Sequence, residues 1–184
     1  MSDTKDTVLL VDDETNITAL FEAWLEGSYE VRTANSGAEA LEQLDDSVDV
    51  ALLDRRMPNL SGDELLQEMR ERGFGIRVAM VTAIDPDFDV LEMGFDDYLT
   101  KPVSREDLEA IVDDLLNRKQ YDEDVQHYYS LAAKKAALET SKPASELTES
   151  EEYETLLEEL DAVEEQMDEQ LTVDEDFISA FKNL

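Results

Sequence analysis

Two short apolar runs end in carboxylates: Val8-Leu9-Leu10-Val11 closes on Asp12-Asp13, and Val50-Ala51-Leu52-Leu53 closes on Asp54. Unbroken apolar runs of this length are what strands buried on both faces require, and that points to a parallel sheet covered by helices. The intervening segments fit. Ile17, Leu20, Phe21, Trp24 and Leu25 recur at helical spacing between Glu14 and Glu26, and Gly27 stops them. The pattern then predicts a strand over 29–34, a helix over 36–44, a strand over 49–54, a loop with Pro58 and Gly62, and a helix over 63–72. A fully buried strand over 76–82, a short helix over 87–93 ended by Gly94, a strand over 97–100 and a helix over 104–118 complete five βα units. Ser104 and Asp107 suit a capping box at the start of the last helix. Short βα repeats demand right-handed crossovers, so residues 7–118 are expected to form a doubly wound α/β sheet.

From Lys119 onward strand signals cease. Two helical stretches flank Ser141-Lys142-Pro143-Ala144-Ser145, and Thr148 with Glu151 suits a capping box for the second. Tyr153, Leu156, Leu160, Val163 and Met167 alternate steps of three and four, the period of a narrow coiled-coil seam. Val125, Tyr128, Tyr129, Ala132 and Ala136 offer a complementary face. The expectation is an α/β domain over 1–118 followed by a helical hairpin or a dimerising coil over 119–184.

Fifteen Lys and Arg oppose 48 Asp and Glu, a net charge of -33, and the excess runs through both parts: -19 over 1–118 and -14 over 119–184. Such self-repulsion needs a screening medium, since the Debye length falls to about 3 Å at 1 M salt. This reads as a halophilic cytoplasm. The chain has no cysteine, which excludes disulfides, thiolate zinc sites and cysteine nucleophiles. No apolar run approaches a membrane span, so a soluble protein with no membrane partner is expected.

In a doubly wound sheet the working crevice lies outside the carboxyl ends of the strands. Asp12, Asp13, Asp54, Thr82 and Lys101 all fall there. Three carboxylates in one place repel unless a cation joins them, and a hard divalent ion such as Mg²⁺ suits oxygen ligands.

Val-Asp-Asp at residues 11–13, Leu-Leu-Asp-Arg-Arg-Met-Pro-Asn-Leu-Ser-Gly around Asp54, Met-Val-Thr-Ala at Thr82, and Asp-Asp-Tyr-Leu-Thr-Lys-Pro ending at Pro102 together resemble response-regulator receiver domains. The tail resembles the HalX-type helical extension found behind such receivers in haloarchaea. The resemblance implies a flavodoxin-like sheet of order 2-1-3-4-5 and a sensor histidine kinase as phosphoryl donor. It makes Asp54 the phosphoacceptor, and gives Asp12, Asp13, Asp54 and the backbone carbonyl of Arg56 to Mg²⁺. Lys101 would pair with a phosphoryl oxygen, with Lys101-Pro102 a candidate cis bond. Thr82 would donate its hydroxyl to the phosphoryl group, and Tyr98 would swing inward behind it. The readout would be the face made by the fourth helix, fifth strand and fifth helix.

Other features are bland. His127 reads as a solvated helix residue rather than a relay donor. Asp85, Asp87 and Asp89 lack the EF-hand glycine and closing glutamate and suit helix capping. Arg55-Arg56 is too short for a nucleic-acid patch. The acidic tail lacks the basic stripe that DNA phosphates need, which favours output by protein contact or dimerisation; transcription control through the tail is the alternative. An aspartyl-phosphate hydrolase would need an acid at position 56, where arginine stands, and a flavodoxin-like redox protein would place an anionic cofactor against three acids.

Overall fold

The computed structural model describes residues 4–119, 121 and 123–170. The apolar runs form β1 (Thr7–Val11), β2 (Glu30–Ala34), β3 (Val50–Leu53), β4 (Arg77–Thr82) and β5 (Asp97–Thr100). All pairings are parallel, in the order β2-β1-β3-β4-β5. Alternate residues feed two cores, as the two-residue strand period requires. Val8, Leu10, Val50, Leu52, Ala79 and Val81 face α1 (Thr15–Leu25) and α4 (Arg105–Arg118). Leu9, Val11, Ala51, Leu53, Val78 and Met80 face the opposite side, with α2 (Gly37–Gln43) and α3 (Gly62–Glu71).

Local chemistry sets the helix starts. Ser61 and Glu64 close a capping box on α3, and Ser104 and Asp107 close the one expected on α4. The helix expected over 87–93 is instead a five-residue 3₁₀ turn, Phe88–Glu92, whose flanking bonds run three residues back: Val90 N–H to Asp87 and Met93 N–H to Val90, each at 3.1 Å. Asp87 caps it through the Phe88 N–H; Asp89 points instead to Arg55.

The extension forms α5 (Glu123–Ser141), α6 (Ala144–Thr148) and α7 (Glu151–Gln170). The capping box expected at Thr148 and Glu151 does not form. Pro143 opens the extra turn α6, inside which the Thr148 hydroxyl donates to the Ala144 carbonyl, and Ser150 Oγ caps α7 by accepting from the Tyr153 N–H. The seam residues Leu156, Leu160, Val163 and Met167 are buried within this chain, in one apolar cluster with Val125, Leu131 and Leu138 of α5 and with Val90 and Phe95. The hairpin therefore lies on the receiver-like sheet rather than apart from it. Part of the extension expected over 119–184, residues 171–184, falls outside the described residues.

Candidate functional site

The strand ladder extends one residue past each strand end, and that is what aims the acids. Asp12 N–H donates to the Ala34 carbonyl at 3.1 Å, Asp54 N–H to the Val11 carbonyl at 2.9 Å, and Lys101 N–H to the Thr82 carbonyl at 2.8 Å. Four residues predicted from three separate segments, Asp12 with Asp13, Asp54 and Lys101, thus meet at one sheet edge. Asp12 and Asp54 are buried there and Asp13 is exposed; an oxygen from each of the three lies within 4.8 Å of the others. Carboxylates this close, open to solvent on one side, are a donor set suited to a hard divalent cation.

Lys101 completes the cluster. Its Nζ stands 2.5 Å from Asp12 Oδ2 and 3.7 Å from Asp54 Oδ2, and the Lys101-Pro102 bond is cis. Asp12 is further held by the Glu14 N–H on its Oδ1 at 2.9 Å. Arg56, the fourth ligand implied by the resemblance, is an exposed loop residue two positions past Asp54. Gly62 shapes this loop: its N–H donates to the Arg55 carbonyl at 2.9 Å, and a Cβ at this position would lie 2.0 Å from the Asp54 carbonyl oxygen.

Thr82, 1 % exposed, accepts the Ile84 N–H on Oγ1 at 3.4 Å. The Tyr98 hydroxyl donates to the Ile84 carbonyl at 2.5 Å, so both residues hold the same loop residue. Tyr98 is already buried, its ring centroid 5.6 Å from that of Phe95. Any inward movement on phosphorylation would start from this covered position. Burial pushes its phenol pKa up, and the neighbouring Arg55 guanidinium pulls the other way.

Sequence reasoning passed over Arg55. The residue is 6 % exposed and donates a parallel pair of hydrogen bonds to Asp63, Nε to Oδ1 and Nη2 to Oδ2, each at 2.9 Å, with Nη2 also 2.6 Å from Asp89 Oδ2. The Asp63 hydrogen bond chiefly holds the guanidinium protonated, above its ordinary range. The one signal was an arginine directly behind a fully buried strand. His127 is exposed on α5, as expected of a solvated residue.

A five-stranded sheet of this order, with three acids and a lysine at its carboxyl edge, defines a flavodoxin-like receiver fold. Solved receiver structures agree. The chain is similar to the BeF3-activated DrrB receiver domain of Thermotoga maritima (32% identity, TM-score 0.58, 62% of this chain and 99% of that one). It is also similar to a CheY-like receiver domain protein of Methanospirillum hungatei JF-1 (30% identity, TM-score 0.59, 63% and 97%).

The chain belongs to the response regulator receiver domain family, which matches residues 8–113, and residues 117–181 match the HalX domain. Among relatives, a protein of Haloferax volcanii named as a transcriptional regulator is 48% identical over 157 residues, covering 85% of this chain and 27% of that protein. The alkaline phosphatase synthesis transcriptional regulatory protein PhoP of Bacillus subtilis is 39% identical over 118 residues, 61% of this chain and 49% of that one. The chain thus spans half or less of the length of these relatives. Among the described residues no helix is long and apolar enough to cross a membrane.

Proposed function

We propose that the chain is a two-component response regulator in which Asp54 accepts a phosphoryl group from a histidine kinase. The observation that supports this reading is the meeting of Asp12, Asp13, Asp54 and Lys101 at one sheet edge. An Asp54 carboxylate oxygen attacks the phosphorus of a phosphohistidine; the O–P bond forms, the P–N bond breaks, and the histidine nitrogen leaves with the electron pair. Asp12, Asp13, Asp54 and the Arg56 carbonyl would hold Mg²⁺, which when bound would supply positive charge to the phosphoryl oxygens. Lys101 then pairs with one phosphoryl oxygen, and the Thr82 hydroxyl donates to another. Tyr98 reports the change through Ile84.

Residues 1–118 act as the receiver and 119–184 as its output element, working in the cytoplasm. Output runs through protein contact, because the extension carries net charge -14 and has no basic stripe to meet phosphates. Transcription control is the second reading, favoured by the names of the relatives. Incubation with a small acyl phosphate and Mg²⁺ should add one phosphoryl group to the native chain and none to Asp54→Asn; equal labelling of both overturns the acceptor role. Capture of genomic DNA fragments by the full chain in molar KCl would favour the second output reading.

A further inference from the structure

A buried guanidinium is retained only where close carboxylates offset its lost hydration. Arg55 has two, and they belong to different parts of the fold. Asp63 lies in the first turn of α3, and Asp89 lies in the 3₁₀ turn. The Tyr98 phenol is a close electrostatic neighbour of the guanidinium, which pulls the phenol pKa down against burial. The 3₁₀ turn and the residues leading into it are in turn the platform on which the extension rests. Lys134 Nζ donates to the Leu91 carbonyl at 3.2 Å, and Ser141 Oγ to the Pro86 carbonyl at 3.0 Å. Lys142 pairs with Asp87 at 3.0 Å and sits 4.8 Å from the centroid of the Phe88 ring. A continuous line therefore runs from the residue beside the acceptor, through Asp89, to α5.

We propose that Arg55 is the positioning residue that couples phosphorylation of Asp54 to the docking of α5, with its Asp89 contact as the part that yields. The two partners are unequal. Asp63 is held by two parallel bonds, the geometry that gives arginine its strength, whereas Asp89 has one contact and a 58% exposed side chain. A phosphoryl group adds negative charge next to Arg55, which weakens the guanidinium's pull on its single-contact carboxylate first. Once the Thr82 hydroxyl turns to the phosphoryl group, Ile84 loses one of its two holds, and the segment bearing Asp87 and Asp89 is freer to leave. The extension loses its platform and its α5 face becomes available to a partner.

This coupling rests on the acceptor reading, and hydrogen exchange of the full chain, with and without acyl phosphate and Mg²⁺, separates the two. Labelling should speed exchange of the α5 amides over 131–141 by about fivefold, the upper range for one such ion pair. Asp89→Asn should show that faster exchange before labelling and gain little from it. Arg55→Met, whose lost side chain touches none of Asp12, Asp13 or Lys101, should still be labelled but show no difference between its two states. Comparing labelled with unlabelled protein within each variant removes any general loss of stability. No labelling of the native chain overturns the acceptor reading and this coupling together. Labelling with unchanged α5 exchange in the native chain, or an undiminished response in Arg55→Met, overturns the coupling alone.

Discussion

The Tyr98 hydroxyl donates to the Ile84 carbonyl at 2.5 Å, while the N–H of the same residue reaches Thr82 Oγ1 only at 3.4 Å. The loop behind the site is therefore held firmly from β5 and loosely from β4. The loose hold is the one that a phosphoryl group would compete for. On the proposed reading, a switch that gives up a weak bond to make a charged one would need little energy to move, and the strong bond would carry the motion to Tyr98.

Removing the two hydroxyls should have unequal effects in the unphosphorylated chain. Tyr98→Phe loses a short bond and leaves a partly buried carbonyl unpaired, at about 1 kcal/mol. That lowers Tm by roughly 2–4 °C for a chain of this size. Thr82→Val loses only the long bond and should shift Tm by less than half as much. Thermal melts of both variants check this, and equal shifts would contradict the reading of the loop.

Lys101 is closer to Asp12 than to Asp54, so in the metal-free chain it neutralises the acid cluster only in part. Added Mg²⁺ should therefore raise Tm, by an amount corresponding to about 2.7 kcal/mol at a concentration a hundredfold above Kd. Asp13→Asn removes one carboxylate from the cluster. It should raise stability slightly without metal, by relieving repulsion, and lose most of the Mg²⁺ gain. An undiminished gain would remove Asp13 from the ligand set.

The βα frame was readable from sequence because strands covered on both faces need unbroken apolar runs, and the site because such a sheet gathers its strand ends. Arg55 was not. Whether an arginine is buried depends on its partners, and Asp63 and Asp89 lie eight and 34 residues away, on elements whose approach no local pattern encodes. The docking of the extension was hidden for a similar reason. The three-four spacing from Tyr153 to Met167 says that α7 needs a cover, and a second copy or α5 would serve equally. Only the placement of Leu131, Leu138, Val90 and Phe95 in one cluster with that seam shows that the cover lies in the same chain.

A net charge of -33 makes stability depend on salt. Tm should climb steadily from dilute buffer to molar KCl as exposed carboxylates are screened, with most of the gain complete once the Debye length reaches about 3 Å. Arg118, 6 % exposed, pairs with Asp97 at 2.9 Å and Asp114 at 2.5 Å, and a partly buried pair such as that with Asp97 is screened less than exposed ones. Full stability in dilute buffer would argue against a halophilic setting.

Alkali should loosen the hairpin through Tyr153. Its hydroxyl bonds Glu139 Oε1 at 2.7 Å, and burial together with that carboxylate pushes the phenol up to about 12. The folded chain then keeps a proton that the unfolded chain releases near pH 10. The contribution is intact below pH 10 and is lost as pH rises from there through about 12. Tyr153→Phe should show a shallower decline of Tm over that window, measured against the native chain; identical slopes would mean that the contact adds nothing.

Gly62 is where fold and chemistry share one atom's width. A Cβ there would fall 2.0 Å from the Asp54 carbonyl oxygen and 2.9 Å from Arg55 Cα, both backbone atoms that cannot rotate away. Gly62→Ala must therefore push the start of α3 off the acceptor loop, at about 1–3 kcal/mol if the loop yields. The displacement would also break the Gly62 N–H to Arg55 carbonyl bond and shift Asp63, the double partner of the Arg55 guanidinium. Acyl phosphate labelling of Asp54 should fall at least tenfold while the far edge of the sheet, β2, keeps its amide protection. A variant that folds with native Tm and labels at the native rate would show that the loop has room to spare.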